Sequence, residues 1–131
     1  MLSPDGRQRL TVEIAKKQQQ QQQQRIKAQK NPDGSLYAKR KPQPLCAKKG
    51  RIKGEIFAKL CTNRYMKASG DDSAAVVEFT GKVQRIARVH QYGLKDKPDR
   101  NRPDIVYPRR LLLGLNKENI VMIENVIFKY L

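Results

Sequence analysis

Large apolar residues are sparse at the start of this chain, and their spacing shifts repeatedly along it. Between Pro4 and Gln29 only Leu10 and Ile14 stack one helical turn apart; the next large apolar residue after them is Ile26, with seven consecutive glutamines, Gln18 to Gln24, in between. Ser3 can cap free backbone N–H groups, and Pro4 suits a first helical position because its missing N–H would have no partner there. Asn31-Pro32-Asp33-Gly34 then stops the run, since a residue before proline resists helical angles and Asp-Gly favours a turn. These signals predict a rod of about 26 residues, some 39 Å long at ~1.5 Å per residue. Its apolar stripe is too thin for tight packing along its length against its own domain. The glutamine run, flanked by Lys16, Lys17, Arg25 and Lys27, therefore reads as an exposed helical segment ordered best by a neighbouring subunit. Disorder or β-stacking is the alternative for such low complexity.

Residues 35 to 53, SLYAKRKPQPLCAKKGRIK, combine prolines, a glycine and a run of basic residues. They predict an extended, solvated arm, or a plain linker, with Leu36, Tyr37 and Leu45 as apolar anchors. Beyond Gly54, EIFAKL puts Ile56, Phe57 and Leu60 on one face of a short helix. RYMKAS and AAVVEFTG flank the turn GDDS and predict a hairpin with Ala75, Val77 and Phe79 facing a core. KVQRIARVHQYG returns to helical spacing, with Val83, Ile86, Ala87 and Val89 or His90 inward and Gly93 as C-cap. A charged loop follows at 95 to 104, then a strand-like run, IVYPRRLLLGL, broken by Pro108. Asn116 can cap a last helix in which Ile120, Ile123, Ile127 and Leu131 recur every three or four residues.

The order is α+β: a long N-terminal helix, a basic extended arm, a small antiparallel sheet with packed helices, and a C-terminal helix. The expected core is Val77, Phe79, Ile86, Val89, Leu112, Leu115, Ile123 and Ile127. With 131 residues there is room for one domain, 1–131, read as helix (1–30), basic arm (31–53) and α+β core (54–131).

Charge adds a partner to this picture. Lys and Arg number 28 against 12 Asp and Glu, a net +16, and the excess sits in the first half: 17 against 4 in residues 1–68, and 11 against 8 in 69–131. Such a surface attracts nucleic acid, an anionic protein face or a membrane. The start, MLSPDGRQRL, lacks the apolar stretch of a signal peptide, and no apolar run approaches the ~20 residues of a membrane span.

Catalytic chemistry finds little to use. Cys46 and Cys61 form no CxxC, and one histidine cannot build a zinc site, so no metal or cofactor is expected. His90 lies in an apolar helical run and reads as packed, not as a general base. Ser69 and Ser73 have no base partner in sequence. Asp71, Asp72, Glu78 and Lys82 are close enough for a nuclease-like cluster, but Asp71-Asp72 reads as turn chemistry. Gly50, Gly54, Gly70 and Gly81 are scattered singly, without a phosphate-binding loop. Tyr37, Phe57 and Tyr65 are too far apart for a single-strand stacking platform, so any DNA contact would be nonspecific.

At RIKAQKNPDGSLYAKRKPQPL, AAVVEFTGKVQRIARVHQYGLKDK and YPRRLLLGL the sequence resembles the phage virion morphogenesis proteins, the tail-completion protein S family of contractile-tailed temperate phages, Mu-like and related. The most specific pieces are Arg85 to Leu94, containing Arg85, Arg88, His90, Tyr92 and Gly93, and Tyr107 to Leu115, containing Tyr107, Pro108, Arg109 and Gly114. More distantly, neck and tail-completion proteins of long-tailed phages place a glycine after an aromatic and a later RP-like strand in similar positions. Family members are expected to carry a leucine-rich segment upstream of LSPDGRQRL, which makes this chain a late-start or shortened version, and to have Pro-Arg-Lys where this chain has Lys39-Arg40-Lys41.

The resemblance implies a structural, non-enzymatic protein of the virion, assembled in the host cytoplasm, that completes the tail and joins it to the DNA-filled head as one subunit of a ring at the neck, the top of the tail. Implied partners are further copies of the chain, the tail tube or tail terminator, the head connector, and DNA in the neck channel, with no membrane. The expected contact residues are Arg25, Lys27, Lys30, Lys39, Arg40, Lys41, Lys48, Lys49 and Arg51. A basic, nonspecific nucleic-acid-binding protein is the second hypothesis.

Overall fold

Ser3 caps the first helix as expected: its Oγ accepts from the Gly6 N–H at 3.1 Å, and helix α1 runs Pro4–Lys27. The computed structural model describes residues 2–39, 57–97, 101 and 103–131, without the side chain of Lys82. Beyond α1 it contains strands β1 (Met66–Gly70) and β2 (Ala75–Phe79), helix α2 (Gly81–Tyr92), two-residue strands β3 (Lys95–Asp96) and β4 (Ile105–Val106), and helix α3 (Lys117–Tyr130). The α+β class holds. No helix among the described residues is long and apolar enough to cross a membrane.

The rod is not left without a partner inside its own subunit. It packs against β1, β2 and α3, and Ala15, Gln18, Gln22 and Ile26 are buried along it. The expectation of an exposed glutamine run fails because packing here uses small side chains and hydrogen-bonded amides in place of large apolar groups. Gly70 shows how close the approach is. A Cβ at this position would lie 2.6 Å from Thr11 Oγ1 and 2.7 Å from the Thr11 and Val12 backbone, so α1 rests directly on the strand. Arg7 Nε and Thr11 Oγ1 donate to the carbonyls of Asp72 and Asp71, fixing the start of α1 to the hairpin turn.

The hairpin is antiparallel, from Met66↔Phe79 to Gly70↔Ala75. Asp71 makes its turn by accepting from the Ser73 and Ala74 N–H groups, each at 2.8 Å. Phe79 is buried and Val77 packs against the core, but Ala75 is exposed because it sits at the hairpin tip opposite Gly70. The helix expected at EIFAKL is absent from its described part, where Phe57–Leu60 forms a turn and Phe57 takes a left-handed φ of 68°. Phe57 and Leu60 are nonetheless buried; Ile56 and Leu45 lie outside the described residues.

In α2 the row Val83–Ala87 faces inward and Val89 is also buried, whereas Ile86, one position off that row, is 48% exposed. Gly93 closes the helix at φ 64°, as expected of a left-handed C-cap. The charged loop at 95–104 contributes more structure than anticipated: its start, Lys95–Asp96, pairs with Ile105–Val106. The run after Pro108 is irregular, with Leu112 fully buried and Leu115 exposed.

Asn116 caps α3 through a reciprocal box with Asn119. The inward row differs from the expected one: Asn119 and Val126 are buried, Ile123 and Ile127 half-buried, and Ile120 and Leu131 exposed. The core is Ile26, Tyr37, Phe57, Leu60, Cys61, Met66, Phe79, Val83, Ala87 and Leu112.

Candidate functional site

The three segments that carry the family resemblance meet in space. Asn31 of the NPDG turn accepts from the Leu111 N–H through Oδ1 at 2.8 Å. Gln91 of α2 accepts from the N–H groups of Leu112 (2.8 Å) and Leu113 (3.0 Å), and its Nε2 donates to the Leu113 carbonyl at 2.9 Å. Gly114 lies against Pro32, whose Cγ would be 2.7 Å from an added Cβ. The irregular backbone of 111–114 thus finds side-chain partners in place of a strand neighbour, as buried peptide groups require.

Arg110 completes this seam. It is 3% exposed; its Nε donates to the Ala38 carbonyl at 2.8 Å, Nη2 to that of Lys39 at 3.3 Å, and Nη1 lies 3.2 Å from His90 Nδ1. His90 is packed edge-on against Phe57 and Tyr107, with ring centroids 4.7 and 5.0 Å away, which matches the packed reading of that residue. Tyr37, from the start of the basic arm, is buried and donates its hydroxyl to the Leu111 carbonyl at 2.9 Å.

Burial pushes the Tyr37 phenol up to about 12, with Arg25 and Arg110 pulling it partly back. A phenol raised above its unfolded value of about 10 is neutral when folded, so its contribution to stability is complete below pH ~10 and is lost as pH rises toward 12. Absorbance titration of the phenolates should therefore show Tyr37 ionising late and together with unfolding, beside Tyr130, whose hydrogen bond to Glu13 also raises it. The part of the late component that accompanies unfolding is expected to vanish in Tyr37→Phe.

A second polar seam joins α1 to α3. Asn119 Nδ2 donates to Gln21 Oε1 at 2.8 Å, Gln18 Nε2 donates to the Asn119 carbonyl at 3.2 Å, and Gln22 Oε1 accepts from the Gly114 N–H at 3.2 Å. Arg25 lies within this network. It donates to Asn119 Oδ1 and the Gly114 carbonyl, each at 3.1 Å, and to Gln22 Oε1. Desolvation lowers its pKa, and its buried Nε finds no acceptor among the described residues. Gln19 and Gln23 reach the other way, to the Met66 carbonyl and Asn63.

The expected contact residues divide accordingly. Arg25 is buried, and its guanidinium is hydrogen-bonded to groups of its own chain. Lys27, Lys30 and Lys39 are exposed, while Arg40, Lys41, Lys48, Lys49 and Arg51 lie outside the described residues. Of the motif residues, His90, Gly93, Tyr107 and Gly114 serve the seam or its neighbourhood, with Gly93 set closely against Arg109 and the Tyr107 carbonyl. Arg85 pairs with Asp96, and Arg88, Tyr92, Pro108 and Arg109 face outward. Arg110, next to Arg109 in the same segment, is internal. Gln91, Asn31, Gln22 and Asn119 carry much of the architecture and were missed; only the cap position of Asn116, three residues earlier, hinted at Asn119.

Among the described residues no group of three His, Cys, Asp or Glu side chains could hold a metal ion. Asp71 is engaged in its turn, where the Ser73 and Ala74 amides hold its carboxyl below the usual range. The described residues are braced by internal amides and expose charge and apolar side chains outward. The chain belongs to the phage virion morphogenesis family, whose model matches residues 1–131. It is 45% identical over 131 residues to tail completion protein S of Escherichia phage P2, an alignment covering 99% of this chain and 87% of that protein. No solved structure matches the chain significantly. Membership of this family makes it a structural protein of virion assembly and not an enzyme.

Proposed function

We propose that this protein completes the phage tail and joins it to the filled head, as one subunit of a ring at the neck. The observation that carries the reading is the similarity, along nearly the whole chain, to a protein named for tail completion. The internal bracing of the motif segments supports it, because a subunit in a load-bearing junction benefits from loops fixed by side-chain hydrogen bonds. In this reading the partners are other copies of the chain, the tail tube or terminator, and the head connector. Lys27, Lys30 and Lys39 face these partners or the DNA in the channel, together with Arg40, Lys41, Lys48, Lys49 and Arg51. The protein assembles in the host cytoplasm and remains in the virion. Deleting its gene should leave filled heads and unattached tails side by side in electron micrographs, with attachment restored by expression in trans. Heads and tails that join normally without it would refute the proposal.

The net charge of +16 favours a second reading, a nonspecific nucleic-acid-binding protein. That reading requires DNA affinity that falls steeply with salt and is lost on neutralising Lys39, Arg40, Lys41, Lys48 and Lys49. No binding at low salt ends it.

A further inference from the structure

Two exposed apolar patches lie on different elements and carry opposite unpaired charges. The first is the outward row of α3: Ile120, Val121, Phe128 and Leu131 are 46%, 50%, 71% and 83% exposed, and Glu124 sits among them. Glu124 makes no hydrogen bond or ion pair among the described residues; Lys117 stands at the far end of the row. The opposite side of α3 is already committed to α1, where Asn119 and Val126 are buried.

The second patch lies where α2 ends and the β3–β4 ribbon begins. Tyr92, Leu94 and Val106 are 65%, 40% and 60% exposed. They are held together by the Lys95↔Val106 pairing, by the Tyr107 N–H donating to the Leu94 carbonyl at 3.1 Å, and by the close approach of Gly93 to Arg109. Arg88, one turn before Tyr92, and Arg109 are exposed, and the side chains of both are without ion pairs among the described residues. Asp96, the nearby acid, is taken by Arg85.

We propose that these patches bind each other between successive copies of the chain, with the α3 row of one subunit seated on the α2–β3–β4 patch of the next and Glu124 set against Arg88 and Arg109. Several observations favour a second copy as the occupant. Each patch offers a large aromatic of the kind that anchors interfaces, Phe128 on one and Tyr92 on the other. Their charges are complementary on a chain that is otherwise strongly basic and so repels itself elsewhere. Two different patches that match give a head-to-tail contact, which closes into a ring when the rotation allows. The inference rests on the ring reading above and moves the main subunit contact away from the basic arm.

Sedimentation velocity on the full chain, alone and with tails lacking this protein, tests it. Glu124→Arg and Arg88→Glu are each expected to weaken wild-type self-association at least tenfold while leaving the thermal midpoint unchanged, and the double variant, with both charges exchanged, to regain it. Phe128→Ser should also dissociate the oligomer. If the wild type assembles and the single reversals assemble equally well, this contact is wrong and the ring reading stands. A wild type that stays monomeric under both conditions overturns the ring reading and this inference with it.

Discussion

Gly70→Val is expected to lower stability by about 3 kcal/mol or more, the upper range for overpacking a tight contact. The reason is geometric. At Gly70 the strand backbone lies against the backbone of α1, and even a methyl group would approach Thr11 and Val12 to about 2.7 Å. Beside the Thr11 hydroxyl, the atoms in the way belong to helix backbone, so no rotamer change relieves the clash and the helix must move off the hairpin. That displacement also strains the bonds from Arg7 and Thr11 to the turn. For a domain of this size the loss should lower the thermal midpoint by roughly 10 °C. Gly81→Ala is the control: nothing lies within 4 Å of its Cβ position and its φ is ordinary, so its midpoint should change little. Equal midpoints for Gly70→Val and wild type would mean that α1 does not sit on β1 as described.

Asn119→Ala should cost a similar amount, about 3 kcal/mol, although the side chain removed is small. Its amide does three jobs: it accepts from the Asn116 N–H in the capping box, accepts from Arg25, and donates to Gln21. Losing a cap costs about 1 kcal/mol, and a hydrogen bond to a charged group is worth roughly 1.5 to 3. Most of the loss should trace to Arg25, whose buried guanidinium would be left with fewer acceptors. The double variant Arg25→Met, Asn119→Ala should therefore lose clearly less than the sum of the two single changes, since removing the charge removes the need for its acceptor. Urea midpoints measure this, and strict additivity would show that the two side chains are not coupled.

These two positions also mark the limit of what could be read in the sequence. The ends of α1 and α3, the hairpin and the Gly93 cap were legible because capping residues, turn residues and period-two alternation act locally. Packing of α1 was not, because apolar periodicity reports burial by large side chains, whereas this helix is buried through Ala15, through Gln18 and Gln22, and through contact with a glycine. Nothing in a run of seven glutamines says which of them will meet Asn119. The outward placement of Ile120 follows from the same cause: the apolar row of a helix need not be its buried row when polar side chains fill the seam. The motif segments were legible as a family resemblance, but their mutual bonding through Asn31, Gln91 and Arg110 joins residues 20 to 80 positions apart, beyond any local rule.

The measurement that bears most directly on the central claim is reconstitution. Tails assembled without this protein are mixed with the purified chain, separated by sedimentation, and then offered filled heads. The proposal predicts that the protein travels with the tails in a fixed ratio and that only those tails form infectious particles. Protein that stays in the free fraction, with heads and tails joining equally well in its absence, would contradict the tail-completion role.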